Sequence, residues 1–299
     1  MFALRRSTGL IKNHTKLIAN MCAVKNYSRL QLSTPSPFVV HVVLNRPSKR
    51  NALDTDMWFE IKECFEKLSY DADCRVVVLS GEGKMFCAGI DLMSMSGAYQ
   101  ELEADGDLAR KAKIWDQKIP LFQDCLSALE KCSKPVLAAV HSACIGAGVD
   151  IITAADIRYC TKDAYFQVKE VDIGMAADVG TLQRLPKVIG SDSLVRELCY
   201  TARELHSDEA LSCGLVSKVF DSKESLIAGA LDVAKLIASK SPVGVQGTKK
   251  SLVYSRDHTV QEGLDHIALW NRFMLQSEDL QTAVVGAISK EKDIPFSKL

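Results

Sequence analysis

The sequence PVLAAVHSACIGAGVDIITAAD (residues 135–156) passes from a strand pattern through a glycine-containing turn into a helix pattern. Its first seven residues are almost all apolar, as in a strand buried within a sheet. The small residues from Gly146 to Gly148 permit a tight turn, and we expect a helix to begin near Gly146. Strand and helix patterns also alternate upstream, in PFVVHVVLNRP (37–47), DTDMWFEIKECFEKL (54–68) and CRVVVLSGEG (74–83). This order predicts an α/β fold in which helices pack on sheets.

The character of the chain changes after Ser207, where helical patterns begin to dominate. Examples are ESLIAGALDVAKLIASKS (224–241) and VQEGLDHIALWNRFMLQ (260–276). We therefore divide the chain into a segment outside the fold (residues 1–34), a core built on sheets (35–206) and a helical C-terminal region (207–299).

Composition excludes several classes of protein. The chain has 299 residues, 47% of them apolar and 25% charged, as in ordinary globular proteins. Its formal net charge of zero argues against a nucleic-acid partner. The ten cysteines include no C-x-x-C pair, which favours reduced thiols in an intracellular compartment. The uncharged run at 135–149 is shorter than the roughly 20 residues that a membrane-spanning helix needs.

Both ends of the chain resemble targeting signals. Residues 1–53 contain no Asp or Glu, and residues 1–30 contain six Lys or Arg interleaved with apolar side chains. This pattern predicts a mitochondrial presequence within residues 1–34, removed or disordered, with a disordered basic tail as the alternative. The last three residues, Ser297, Lys298 and Leu299, form the tripeptide that the peroxisomal import receptor reads. We expect the protein in the mitochondrial matrix and in the peroxisome.

The common catalytic motifs are missing from the sequence. It contains no G-x-S-x-G nucleophile motif and no H-E-x-x-H zinc motif, and its six histidines are scattered. The GEGK at 81–84 lacks the spacing of a phosphate-binding loop, and the GAG at 146–148 lacks the third glycine of a dinucleotide site. We therefore expect neither a metal ion nor a cofactor.

Two glycine-containing turns are the better candidates for a site. KMFCAGIDL (84–92) and HSACIGAGVDIITAAD (141–156) each follow a predicted strand. Small residues let a ligand approach the backbone closely, and two N–H groups that converge on one oxygen form an oxyanion hole. Tight packing is the alternative explanation for either turn taken alone.

The stretch FQVKEVDIGMAADVG (166–180) places Glu170, Asp172 and Asp178 among apolar and small residues. Burial of an unpaired carboxylate is strongly unfavourable, so these side chains either reach water or face a shielded site that uses them. Asp150 lies four residues after Gly146, on the same face of the predicted helix as the turn.

Four segments resemble, in order, the motif series of the crotonase (enoyl-CoA hydratase/isomerase) superfamily: VLNRPSKRNALD (43–54), FCAGIDL (86–92), GAGVDIITAADIRY (146–159) and FQVKEVDIGMAADVGTLQRLP (166–186). The resemblance covers roughly residues 36–299. It implies a spiral of ββα units, a helical C-terminal trimerisation region and an acyl-CoA thioester substrate. Homotrimers or homohexamers are expected, and CoA is part of the substrate rather than a cofactor.

The resemblance also assigns residues to the site. It implies that the thioester oxygen lies between the backbone N–H groups of Ile90 and Ala147, although many relatives have glycine at the latter position. The other substrate-binding residues that it implies are Cys87, Ala88, Gly89 and Asp91.

The acidic residues resemble the branch of this family that converts 3,5-dienoyl-CoA to 2,4-dienoyl-CoA during β-oxidation of unsaturated chains. The resemblance implies that Glu170 removes a proton from C2, that Asp178 delivers one to C6, and that Asp150 supports them. The reverse roles for Glu170 and Asp178 remain open. Asp172 is interpreted as a structural or surface carboxylate. The alternatives are a 2-enoyl-CoA hydratase and a catalytically inactive binding protein of the same fold.

Overall fold

Two β-sheets organise the chain in the computed structural model, which describes residues 27–94, 107–291 and 294–299. The strands are β1 (Leu30–Ser36), β2 (Val39–Leu44), β3 (Val76–Gly81), β4 (Val136–Val140), β5 (Ala143–Ile145), β6 (Ile157–Thr161), β7 (Tyr165–Gln167), β8 (Leu205–His206) and β9 (Lys218–Phe220). The larger sheet has the order β1-β2-β3-β4-β6-β9, and the smaller sheet has the order β5-β7-β8. The strands from β2 to β9 in the larger sheet are parallel, while β1 pairs antiparallel to β2.

Helices follow the strands on both sides of the larger sheet. They are α1 (Thr55–Tyr70), α2 (Leu108–Lys131), α3 (Ala147–Thr153), α4 (Thr181–Ile189), α5 (Asp192–Thr201), α6 (Ser207–Ser212), α7 (Lys223–Ala238), α8 (Pro242–Ser255), α9 (Val260–Met274) and α10 (Glu278–Ser289). Two short 3₁₀ helices are η1 (Pro47–Lys49) and η2 (Glu170–Ile173). Among the described residues, no helix is long and apolar enough to cross a membrane.

A second ladder of short pairings accompanies the larger sheet and produces the predicted ββα spiral. Leu53 pairs with Ile90, and Cys87 pairs with Cys144, each as an isolated parallel bridge. Strand β5 then pairs with β7 in the same parallel sense. Each turn of the chain therefore contributes one strand to the larger sheet and one short segment to the ladder before a helix returns it. This confirms the fold expected from the sequence.

The packing of strand β3 shows why the parallel strands have continuous apolar sequences. Val77 and Leu79 pack into the main core on one face of the larger sheet, whereas Val76 and Val78 pack on the other face against α7. Since both faces of the strand are covered, no position along it tolerates a solvated side chain.

Helix α1 has the predicted start and the predicted buried face. Asp54 caps it by accepting a hydrogen bond from the N–H of Met57 (3.0 Å). Met57, Ile61, Phe65 and Leu68 are all buried. The helical spacing of these residues therefore correctly predicted which face of α1 is buried.

The predicted boundary at residue 34 lies too late in the chain. Residues 1–26 are outside the described residues, but residues 30–34 belong to β1, and Leu30 is buried in the core. Strand β1 is at the edge of the sheet, mostly exposed, and contains Pro35. Edge strands tolerate proline and polar residues, which is why LQLSTPS has no clear alternation.

The boundary at residue 207 also needs correction. Strand β9 lies beyond it and completes the larger sheet, and α7 packs on that sheet through Leu226, Ala230 and Ala234. The sheet-based core therefore extends to about residue 238, and the helical C-terminal region consists of α8 to α10. Strand β9 has three residues, too few for its pattern to stand out between helices.

Candidate active site

The turn after β3 carries the first half of the site. Gly89 has φ +94°, a conformation that glycine adopts without strain. The N–H groups around it are engaged as follows: Cys87 donates to the carbonyl of Ala143 (3.2 Å), Ala88 to that of Arg50 (3.0 Å), Gly89 to the sulfur of Cys87 (3.4 Å) and Asp91 to the carbonyl of Leu53 (3.0 Å). Among the described residues, the N–H of Ile90 has no hydrogen-bond partner.

The second turn joins β5 to α3. The N–H of Ile145 donates to the carbonyl of Cys87 (3.0 Å), and that of Gly146 donates to the carbonyl of Gln167 (2.8 Å). Helix α3 begins at Ala147, close to the predicted position, with Gly146 at φ +52° and ψ −120°. The N–H of Ala147 has no partner within the described part of the chain, because the first N–H of a helix has no carbonyl one turn earlier.

The two turns lie against each other and against Glu170. A methyl group added at Gly146 would lie 3.2 Å from Glu170 Oε1 and 3.8 Å from the Cα of Gly89. One added at Gly89 would lie 3.8 Å from the nitrogen of Ala147. The predicted pair of donors, Ile90 and Ala147, is thus brought together beside a carboxyl group.

Asp150 and Glu170 are both buried. Asp150 has no exposed surface, and its Oδ1 accepts a hydrogen bond from the N–H of Thr181 (2.5 Å). Glu170 begins η2 and is 6% exposed. Within the described residues, Asp150 Oδ2 and Glu170 Oε2 have no hydrogen-bond partner. Of the three acidic residues in the segment 166–180, Glu170 is thus the buried one.

Burial dominates the electrostatics of the three carboxyl groups. It raises the pKa of Asp150 to about 6, although the N–H of Thr181 and the charge of Arg184 oppose the change. It raises the pKa of Glu170 to about 7, and the neighbouring charge of Asp150 adds to the effect. Burial also raises the pKa of Asp178. Carboxyl groups with pKa values near neutrality can both accept and donate protons.

Asp178 lines an apolar cavity of about 220 Å³, whose lining includes neither Asp150 nor Glu170. The cavity is lined by Trp58, Ile90, Leu92, Trp115, Ile119, Phe122, Ile173, Met175, Asp178 and Val179. It therefore extends from the turn that carries the free N–H of Ile90 to the carboxyl group of Asp178. The backbone carbonyl of Asp178 accepts a hydrogen bond from Gln123 Nε2 (2.7 Å), which ties this loop to α2.

The remaining acidic and cysteine side chains considered for the site make structural or surface contacts. The carboxylate of Asp91 caps the next turn by accepting from the N–H groups of Met93 (3.1 Å) and Ser94 (3.3 Å), and it pairs with Arg46 (2.7 Å). The thiol of Cys87 is buried and donates to the carbonyl of Asn51 (3.3 Å). Asp172 is exposed and pairs with Lys169, which confirms its interpretation as a surface carboxylate.

Sequence reasoning missed the aromatic lining and one charged group. Trp58 and Phe122 meet across the cavity wall with ring centroids 5.2 Å apart, one from α1 and one from α2. Helical periodicity could have placed Trp58 on the buried face of α1. Arg184 lies buried beside Asp150, and its position one turn into a helix after Gly180 was the available signal.

Residues 36–292 match the family model for enoyl-CoA hydratase/isomerase. The chain belongs to the enoyl-CoA hydratase/isomerase family, as its spiral fold and paired turns also indicate. Rat mitochondrial Δ(3,5)-Δ(2,4)-dienoyl-CoA isomerase is 52% identical over 299 residues, which span 99% of this chain and 91% of the rat protein. Peroxisomal Δ(3,5)-Δ(2,4)-dienoyl-CoA isomerase of Arabidopsis thaliana is 47% identical over 261 residues, which span 87% and 93% of the two chains.

The fold has a solved counterpart as well. The crystal structure of enoyl-CoA hydratase from Bacillus anthracis matches 90% of this chain and 99% of its own, with a TM-score of 0.80 and 24% sequence identity. At 24% identity the likeness shows the fold alone, and the reaction has to be inferred from the site residues.

Proposed function

We propose that this chain converts 3,5-dienoyl-CoA to 2,4-dienoyl-CoA in the β-oxidation of unsaturated fatty acids. The observation that carries the proposal is that two protonatable carboxyl groups have different surroundings. Glu170 lies beside the free N–H groups, and Asp178 lies at the apolar cavity. The names of the rat and Arabidopsis relatives support the same reaction.

The thioester oxygen of the substrate accepts hydrogen bonds from the N–H groups of Ile90 and Ala147. These donors stabilise the negative charge that develops on that oxygen when a proton leaves C2. Both lie in turns fixed by their neighbours' hydrogen bonds, so little reorganisation accompanies the reaction. The acyl chain occupies the apolar cavity, which excludes water from the extended dienolate.

Glu170 takes the proton from C2, and the electron pair of that C–H bond enters the dienolate. Asp178 then gives its proton to C6, which moves both double bonds toward the thioester. Glu170 ends protonated and Asp178 ends ionised, so one proton must pass from the first to the second before the next turnover. Asp150 supports the base, because its charge helps to keep the pKa of Glu170 near neutrality.

Purified protein with a 3,5-dienoyl-CoA tests the reaction directly, through growth of the conjugated 2,4-dienoyl absorbance. Glu170→Gln and Asp178→Asn should each remove most of the activity, on the order of 10²-fold or more, with substrate binding largely retained. Asp172→Asn is the matched control and should keep wild-type activity, since Asp172 is exposed. Absence of isomerisation, together with addition of water to a 2-enoyl-CoA, would replace this proposal by the hydratase.

Proton exchange in D₂O separates the roles of the two carboxyl groups. With Asp178→Asn, Glu170 still removes and returns the proton at C2, so deuterium should enter C2 without product formation. With Glu170→Gln, exchange at C2 should stop. The opposite pattern would assign the base to Asp178.

We propose that the chain assembles as a homotrimer, or as a hexamer of two trimers, through its helical C-terminal region. Large apolar side chains exposed on these helices support an interface there: Leu252, Leu269, Phe273, Val285 and Ile288. Light scattering coupled to size-exclusion chromatography measures the mass directly. A monomer at micromolar concentration would contradict the assembly.

We also propose that the protein works in mitochondria and in peroxisomes, since its relatives are named for one compartment or the other. Residues 1–34 fused in front of a fluorescent protein should direct it to mitochondria. Removal of Ser297–Leu299 should abolish the peroxisomal fraction. An unchanged distribution in the second experiment would contradict the peroxisomal half.

A further inference from the structure

Arg184 is a buried cation next to the carboxyl pair. It is 8% exposed and lies on α4, one turn after Gly180. Gly180 has φ +139°, and a methyl group there would overlap Arg184 Nη1 while lying 3.9 Å from Asp150 Oδ1. Arg184 Nη1 and Asp150 Oδ1 therefore both lie within 4 Å of the position that a Cβ on Gly180 would take.

The guanidinium is fixed from its other side by α2. Arg184 Nε donates to Glu130 Oε1 (3.3 Å), and Nη2 donates to Glu130 Oε2 (3.2 Å) and to Ser127 Oγ (2.9 Å). Glu130 also accepts from Arg256 Nη1 (2.5 Å), at the end of α8. A two-pronged contact of this kind sets both the position and the plane of an arginine.

We propose that Arg184 is a positioning residue for this reaction: it holds the Asp150 carboxylate charged and in place, and through Asp150 it acts on Glu170. The Glu130 carboxylate holds the guanidinium at a distance from Asp150 at which its charge acts on that carboxylate. The inference rests on the proposed isomerase function.

The surroundings of Asp150 show why a cation is needed. The other titratable groups whose charges interact with that of Asp150 lie on separate elements. They are all carboxyl or thiol groups: Glu170, Asp178, Cys87, Cys144 and Cys199. Among the described residues, Arg184 is the cation whose charge opposes the rise in the pKa of Asp150. Without it, burial and like charge would favour a neutral Asp150.

Removal of the positive charge should therefore raise the pH at which Asp150 loses its proton. We expect Arg184→Met to move this titration upward by about one pH unit. Arg184→Lys keeps the charge and should leave most of the titration in place. Arg256→Met is the matched control, because Arg256 contacts Glu130 but not Asp150, and it should not move the titration.

The titration is followed in substrate-free protein by infrared spectroscopy of the protonated carboxyl band, with Asp150→Asn used to assign the Asp150 component. This readout does not depend on turnover, so a failure of the proposed reaction and a failure of this inference give different results. In parallel, kcat for Arg184→Met should fall about tenfold or more with KM changed less than about threefold, and Arg184→Lys should recover most of it.

An unmoved Asp150 band in Arg184→Met would overturn the inference, as would an Arg184→Lys variant no better than Arg184→Met. If Arg184→Met does not fold, Arg184→Gln keeps the test decisive. It removes the charge but keeps a polar side chain that can donate to Glu130, so the Asp150 titration should still move upward. A purely structural role for the ion pair predicts no movement in that direction.

Discussion

Asp150 lowers the stability of the folded protein although it belongs to the candidate active site. It is fully buried, only one of its oxygens has a hydrogen-bond partner among the described residues, and its pKa is raised to about 6. Because the folded protein binds this proton more tightly than the unfolded chain, ionisation of Asp150 above pH 6 destabilises the fold. Residues in active sites commonly carry such an unfavourable contribution.

Asp150→Asn should therefore stabilise the protein at pH 8 by about 2 kcal/mol relative to wild type, since it removes a buried charge. The advantage should shrink as the pH falls through 6 towards 4, where Asp150 takes up its proton in the folded state of the wild type. Denaturant unfolding at pH 8 and pH 5 measures both values. An advantage that is equal at the two pH values would contradict the assignment.

At the scale of elements, the junction of β5 and α3 determines the geometry of the second turn. Gly146 combines φ +52° with ψ −120°, a backbone conformation that is strained for residues with a side chain. The space beside it is also filled, by Glu170 Oε1 and by Gly89. The turn therefore needs glycine for both backbone and packing reasons.

Gly146→Ala should lower the stability of the protein by about 2 kcal/mol and reduce kcat at least tenfold, because strain and the new methyl displace Glu170 or the N–H of Ala147. Gly190→Ala is the control. Gly190 has φ +73° at the end of α4, and a methyl there meets nothing within 4 Å. It should lose about 1 kcal/mol of stability and keep its kcat. Equal kcat values for the two variants would contradict this account of the turn.

At the scale of the whole molecule, a buried lysine connects the helical C-terminal region to the core. Lys249, on α8, pairs with Asp156 (2.7 Å) and donates to the carbonyls of Leu129 (3.2 Å) and Lys134 (3.0 Å). All three of its ammonium hydrogens thus have partners in the sheet-based core. Removal of one member of a buried pair leaves the other without compensation.

Lys249→Met should lower the unfolding free energy by about 3 kcal/mol, because Asp156 and two carbonyls lose their donor. Its neighbour Lys250, exposed and stacked over the ring of Trp270 (4.2 Å), provides the comparison. Lys250→Met should change stability by about 1 kcal/mol or less. Thermal unfolding of both variants under one set of conditions tests the difference, and equal shifts would contradict it.

Local patterns in the sequence predicted the elements that have strong periodicity or clear turn chemistry. The apolar run of β4, the capped helix α1 and the start of α3 beside Gly146 all lie where their residues indicate. The edge strand β1 and the three-residue strand β9 escaped prediction, since a short or half-exposed strand carries little pattern of its own.

By itself, the sequence determined the alternation of strands and helices between β2 and α3, the two turns at Gly89 and Gly146, and the presence of acidic residues in an apolar segment. Only the tertiary structure decided which carboxyl groups are buried and what surrounds them. Asp172 faces solvent although Glu170, two residues earlier, does not. Arg184 and Glu130 meet across 54 positions of sequence. Burial and charge pairing depend on segments that fold together from distant parts of the chain, and local periodicity carries no record of them.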